Sequence, residues 1–219
     1  MNKKYLVLTL SLLVIVGIYF LGVRLYQNSK IEDLKKMSNQ NLEEFAPEYS
    51  PRFGNKDAKV VITEFLDPEC ESCRYFYPKV KELLKLYNGK VQLVIRYAAY
   101  HKNSVHAIKV LEASRKQNKF AQSLDTMFKN QPDWANHHNP KPNRVYKYLA
   151  SVGVDIKQLK KDMQDPSIIQ IISKDASSMK KLNVRGTPTF FINGKPLSKF
   201  GIGELYDFVT KEVNLQYSE

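Results

Sequence analysis

Apolar and polar residues alternate in blocks along this chain, and each block predicts an element. Residues Tyr5 to Val23 are uncharged and almost wholly apolar. Residues 24–50 are polar and charged, closed by Pro47 and Pro51, and read as a stalk, helical in part around 31–45. Lys59 to Leu66 is a β-branched, apolar run of the kind found in a buried strand. From Glu71 to Tyr87 the apolar positions Phe76, Val80, Leu83, Leu84 and Tyr87 recur at helical spacing, and Asn88-Gly89 supplies a stop. Val91–Tyr97 is a second strand. Residues 104–182 are mostly helical, with Ser104 as the cap of a first helix and further helices over 144–152, 155–163 and 167–182. Pro188–Asn193 is a third strand, Asn193-Gly194 a hairpin turn, 195–199 a short fourth strand, and 203–213 a last helix. Two strands joined by a helix pair in parallel with a right-handed crossover, and the hairpin closes the other edge of the sheet. The expected fold is an α/β sandwich with an all-helical insertion.

The uncharged stretch changes that picture at the N-terminus. Its 19 residues, at about 1.5 Å each, span roughly 28 Å, close to the hydrocarbon thickness of a bilayer. Tyr5 and Tyr19 lie where amphipathic rings favour the interface. A cleaved signal peptide competes, but no clear small-x-small site follows. We therefore expect an uncleaved transmembrane signal-anchor over 5–23, a cytoplasmic tail of residues 1–4, a stalk over 24–50, a globular domain over 51–213 with its helical insertion at about 104–182, and a tail over 214–219. Lys3 and Lys4 precede the span while Arg24, Lys30, Lys35 and Lys36 follow it, so charge counting does not choose an orientation.

The chain carries 34 Lys and Arg against 22 Asp and Glu, a net charge of +12. Removing residues 1–27 leaves 31 basic and 22 acidic residues, or +9. The lysines are interspersed with acids, as in Lys79-Val80-Lys81-Glu82, and no arginine stripe with interleaved aromatics occurs. A solvated basic surface fits better than a nucleic-acid partner.

Two cysteines exclude a multi-disulfide scaffold and a four-thiolate metal site. They stand three apart, in Cys70-Glu71-Ser72-Cys73, directly after a strand and at the opening of a helix. Residues so spaced at a helix start share a face, at about the Cα separation a disulfide needs, roughly 5–6 Å. Cys70 meets the unpaired backbone N–H groups and the positive end of the helix dipole, which favour a thiolate. Cys73 lies deeper, so Cys70 is the attacking sulfur and Cys73 the resolving one. A c-type haem needs His after the second cysteine, where Arg74 stands. Zinc needs two further ligands, and His101, His106, His137 and His138 lie at no tight ligand spacing to the pair. A disulfide closing so small a loop stabilises little, which leaves redox chemistry as the leading reading.

A second motif is Val184-Arg-Gly-Thr187-Pro188-Thr-Phe-Phe-Ile-Asn-Gly194, with a proline at the start of a strand. By position alone a trans bond at a strand edge is the commoner case, since cis is about 5–6% of X-Pro bonds. The pieces 60–73 and 185–194, in this order, resemble the thioredoxin superfamily, and the helical block between them resembles its DsbA-like branch of exported thiol–disulfide oxidoreductases. The resemblance covers about residues 50–213. It implies a thioredoxin-like fold, a cis bond at Thr187-Pro188 facing the cysteines, and a loop there whose backbone aligns substrate. It also implies that Glu64 is the buried acid beneath the pair, shuttling the proton of Cys73. No cofactor is implied beyond the Cys70–Cys73 disulfide itself. The implied partners are exported proteins with cysteines, the bilayer through residues 5–23, and a membrane redox partner, DsbB-like or vitamin K epoxide reductase-like. The short stalk leaves little room for a dimerisation domain and points to a monomer.

The sequence departs from the strongly oxidising members at the dipeptide Glu71-Ser72, where they often carry Pro-His. By sign, Glu71, Asp67 and Glu69 raise the pKa of Cys70 and weaken its disulfide as an oxidant. His101 lies before a helix, where loop packing outweighs catalysis as a role. The expected activity is disulfide introduction outside a bacterial cytoplasmic membrane. A reductase or isomerase of the same fold is the first competitor, and a non-enzymatic chaperone or assembly factor the second.

Overall fold

The computed structural model describes residues 44–218 apart from 137 and 198, together with 16, 17, 19–22, 24 and 25. The chain divides into two compact units, 1–43 and 44–219. In the first, the described residues are helical and exposed. Most of the expected 5–23 span and residues 26–43 of the stalk lie outside the described residues, and among the described residues no helix is long and apolar enough to cross a membrane.

The second unit is built on a five-stranded sheet. Its strands are β1 (Arg52–Gly54), β2 (Val60–Leu66), β3 (Val91–Tyr97), β4 (Thr189–Ile192) and β5 (Lys195–Pro196), in the order β1-β3-β2-β4-β5. β2 and β3 are parallel, with Glu64 opposite Ile95, and β4 runs antiparallel to β2, with Phe190 opposite Glu64. β3 is buried along its whole length and β2 at all but one position, which is why both read as near-continuous apolar runs. The sequence pattern did not reveal β1. It has three residues, its burial is mixed, and it pairs antiparallel at the β3 edge. Gly54 allows that approach, since its φ is +90° and a Cβ there would meet the Val91 carbonyl at 2.6 Å.

Eight α-helices complete the unit among the described residues: α1 (Glu71–Leu86), α2 (Ser104–Lys116), α3 (Phe120–Lys129), α4 (Gln131–Trp134), α5 (Val145–Ser151), α6 (Ile156–Asp162), α7 (Pro166–Lys181) and α8 (Ile202–Tyr217). α2 to α7 form the expected helical insertion between β3 and β4. Ser104 is not the cap of α2. The cap position is Asn103, and the fully buried Ser104 donates its hydroxyl to Asp67 Oδ2 at 2.7 Å instead. A buried carboxylate is the stronger acceptor and draws the hydroxyl inward. Asp155 and Asp165 cap α6 and α7 through the Gln158 and Ser167 N–H groups. The last helix runs to Tyr217, past the expected end at 213, because Tyr217 reaches the Lys59 N–H and the Lys90 carbonyl.

The main core joins β2 and β3 to α1, the insertion and α8. A smaller core holds Phe45, Phe65, Ala98, Val184 and Phe191, with Phe45 and Phe191 centroids 4.9 Å apart. Residues 44–50, which the sequence pattern placed in the stalk, thus belong to this unit. Arg96, buried on β3, fixes them through the Glu44 carbonyl, Tyr49 and an ion pair to Asp175 at 2.7 Å.

Candidate functional site

The C-terminal ends of β2 and β3 and the start of β4 meet at one place. β2 ends at Leu66, the chain turns through Asp67-Pro68-Glu69, and α1 begins. Cys70 occupies the N-cap position with φ −74° and ψ 123°, so its sulfur sits where the helix leaves N–H groups unpaired. Cys73, one turn on, is fully buried, whereas Cys70 keeps 7% of its surface exposed. Both are free thiols.

The two thiols differ sharply in acidity. Cys70 is held down at about 5, first by the hydrogen bond from the Cys73 thiol, then by the Thr187 side chain and the backbone N–H groups of Cys73 and Ser72. Cys73 is pushed well above its ordinary value, first by burial and then by its bond to Cys70 and the charges of Glu64 and Cys70. The Asp67 N–H, 3.5 Å from Cys73 Sγ, opposes this weakly.

Glu64 lies on β2, fully buried, and neither carboxyl oxygen has a hydrogen-bond partner among the described residues. Burial pushes its pKa up to about 8, with the Cys70 charge adding to the effect. It is therefore neutral at pH 7 and close to giving up its proton.

Across from the helix start, Thr187–Pro188 is a cis peptide. The Thr187 carbonyl lies 3.3 Å from Cys70 Sγ and accepts from it when the thiol is protonated. Pro188 is buried and Thr187 half-buried, while Glu71 and Ser72 are exposed on the outer side of the first turn. The structure thus gathers Cys70, Cys73, Glu64, Thr187 and Pro188 at one point and leaves the two intervening side chains in solvent.

The expectation that nearby acids raise the Cys70 pKa is corrected by the geometry. The Asp67 carboxylate accepts from the N–H groups of Glu69, Tyr100 and His101 and from the Ser104 hydroxyl, with His101 Nδ1 2.8 Å from Oδ2. Glu69 is likewise occupied by the Asn103 N–H at 2.6 Å and side-chain amide at 3.1 Å. The influences that lead at the sulfur are hydrogen bonds from Cys73, Thr187 and the backbone, and these outweigh burial and decide the sign.

The bridging role of Asp67 and the part played by Gln131 escaped sequence reasoning. Asp67 joins the loop carrying the cysteines to the loop after β3. Its backbone also touches both sulfur-bearing residues, accepting from the Cys70 N–H at 3.1 Å. Gln131, from α4, donates its amide to the Pro68 carbonyl at 2.9 Å and the Cys70 carbonyl at 3.0 Å. No local pattern marks an amide 61 residues from its acceptor. Tyr100 adds a third tie, donating to the Val184 carbonyl just before the cis-proline loop. Among the described residues no group of three or more His, Cys, Asp or Glu side chains is arranged to hold a metal ion.

The family model described as Thioredoxin matches residues 47–206. The chain belongs to the thioredoxin family. A probable disulfide bond formation protein D of Bacillus cereus is 30% identical over 200 residues, covering 86% of each chain. The solved structure of oxidised BdbD from Bacillus subtilis superposes with a TM-score of 0.67 at 25% identity, covering 75% of this chain and 93% of that one. These neighbours agree with the DsbA-like branch read from the sequence. A Na(+)/H(+) antiporter NhaA of Herminiimonas arsenicoxydans is 26% identical over 151 residues, or 69% of this chain but 23% of the antiporter. The chain therefore spans about a quarter of that relative's length.

Proposed function

We propose that this chain is a membrane-anchored thiol–disulfide oxidoreductase that introduces disulfide bonds into exported proteins. The observation that carries the reading is the unequal pair. One sulfur sits at a helix N-cap beside the Thr187 carbonyl, and its partner is sealed behind it over a buried, unpartnered carboxyl.

In the oxidising direction, a substrate thiolate attacks Cys70 Sγ of the Cys70–Cys73 disulfide. The S–S bond breaks, a mixed disulfide forms at Cys70, and Cys73 leaves as a thiolate. Its high pKa makes it a strong base, and the neutral Glu64 supplies a proton. A second substrate thiolate then attacks the substrate's own sulfur in the mixed disulfide. Cys70 departs as a stabilised thiolate, which favours this step because a low-pKa thiol leaves faster. Two electrons pass from substrate to the pair. Of the two substrate protons, one ends on Cys73 and one goes to solvent. The Thr187-Pro188 backbone aligns the substrate chain beside Cys70. A membrane redox partner, DsbB-like or vitamin K epoxide reductase-like, then reoxidises the pair, so no bound cofactor takes part in this chain.

The uncharged stretch 5–23 supports the anchor, and the restriction to two cysteines suits a thiol-oxidising compartment outside the cytoplasm. The oxidised full chain, incubated with a reduced unfolded protein, should oxidise its thiols, and Cys70→Ala should abolish this. Equal rates for the variant and the parent would defeat the assignment. A reporter fused at the C-terminus should be active only outside the cytoplasmic membrane.

A further inference from the structure

The loop after β3 carries an imidazole that the exchange chemistry above does not use. His101 is tied twice to Asp67 Oδ2, through its backbone N–H at 3.2 Å and through Nδ1 at 2.8 Å. Asp67 is fully buried, so this anchor is rigid. The same residue accepts from the Cys70 N–H and donates its own N–H to Cys73 Sγ. One residue therefore fixes the imidazole and both cysteines relative to each other. The ring keeps 29% of its side-chain surface exposed and borders a hollow of about 110 Å³ with Glu69, Asn103 and Ala135.

The charged groups around the ring can be named element by element. The loop between β2 and α1 contributes Asp67, Glu69 and Cys70, and the ring's own loop contributes Lys102. The insertion contributes Ala135, Asn136 and Pro140, which carry no charge. Anions thus outnumber cations. Burial alone would lower the His101 pKa, but the bond to Asp67 and the charges of Asp67, Cys70 and Glu69 raise it overall. Pairwise charge interactions are reciprocal. If the Cys70 thiolate favours the imidazolium, the imidazolium favours the thiolate by the same amount.

We propose that His101, clamped by Asp67, is a positioning residue that adds to the stabilisation of the Cys70 thiolate and so raises the oxidising strength of the pair. The dipeptide between the cysteines, Glu71-Ser72, brings no cation, and this loop provides one from the side. The inference rests on Cys70 being the reactive sulfur of the proposed exchange.

The test uses the full chain in detergent, with His101→Gln and His101→Lys beside the parent. Ultraviolet thiolate absorbance of the reduced protein gives the Cys70 pKa without requiring any turnover. Equilibration with glutathione gives the disulfide equilibrium. At pH 6, His101→Gln should raise the Cys70 pKa and shift the glutathione equilibrium toward the disulfide form by roughly three- to tenfold. His101→Lys, which keeps a cation, should stay close to the parent. As pH rises from 6 to 9 and the imidazole gives up its proton, the difference between parent and His101→Gln should shrink. An unchanged Cys70 pKa in His101→Gln would overturn the proposal, as would a displacement equal at pH 6 and pH 9, which marks loss of packing. Failure of the parent to exchange with glutathione would count against the proposed function, while the Cys70 titration would still decide the role of His101.

Discussion

Cys70 and Cys73 sit one helical turn apart, and their acidities move in opposite directions because one sulfur collects donors at the N-cap while the other is sealed in the core. Alkylation of the reduced protein should follow a single midpoint near pH 5, with Cys70 labelled about a hundredfold faster than Cys73 at pH 7. Comparable labelling of both, or a midpoint near 9, would contradict this. The value of about 5 lies between the ~7 of thioredoxin and the ~3.5 of DsbA. At pH 7 such a thiolate stabilises the reduced folded form by roughly 2–3 kcal/mol, which makes the disulfide more oxidising. Glu64 works with the opposite sign. Its folded pKa of about 8 exceeds its ordinary 4.5, so its contribution to stability is full below about pH 4.5 and is lost as pH rises to 8. Glu64→Gln should flatten that slope and stabilise the reduced protein at pH 8 by on the order of 4 kcal/mol, measured by denaturant unfolding across pH. At this scale the cysteine pair was legible from its spacing and its place between a strand and a helix, whereas Glu64 and the cis bond at Thr187-Pro188 were named only through the resemblance to the thioredoxin superfamily. The environment of Cys70 was not legible. Counting Asp67, Glu69 and Glu71 gave the wrong sign, since linear proximity says nothing of which donors a carboxylate faces.

Between elements, the site depends on ties that join distant segments. The strong strands β2 and β3 and the long helix α1 are visible in the sequence because burial writes them as apolar runs and helical periods. β1 is too short and too exposed to leave such a record, and Ser104 reads as a cap until the buried Asp67 is known. The helical insertion is more than a cover. Through Gln131 it holds two carbonyls of the cysteine loop from one buried amide. Gln131→Ala leaves the Pro68 carbonyl unpaired and should cost about 1–3 kcal/mol in thermal unfolding. It should also raise the hydrogen-exchange rate of the 67–70 loop. Unaltered exchange there would show that the insertion does not support the site.

For the whole molecule, the globular unit begins before its first strand. Phe45 packs on Phe191 and Phe65 lies in the same small core, while Arg96 and Asp175 lock residues 44–50 from below. Phe45→Ala should destabilise the unit by about 3–5 kcal/mol, read by denaturant unfolding, whereas an alanine at the exposed Lys56 should cost almost nothing. Its sequence gave no hint of this, because one phenylalanine in a polar stretch has no period. The direction in which the pair exchanges electrons is read from the reduction potential of the Cys70–Cys73 couple. Equilibrating the full chain with glutathione redox buffers at pH 7 should give a value more oxidising than about −200 mV, toward the ~−120 mV of DsbA. A value near the ~−270 mV of thioredoxin would contradict the oxidase reading and place the protein among the reductases.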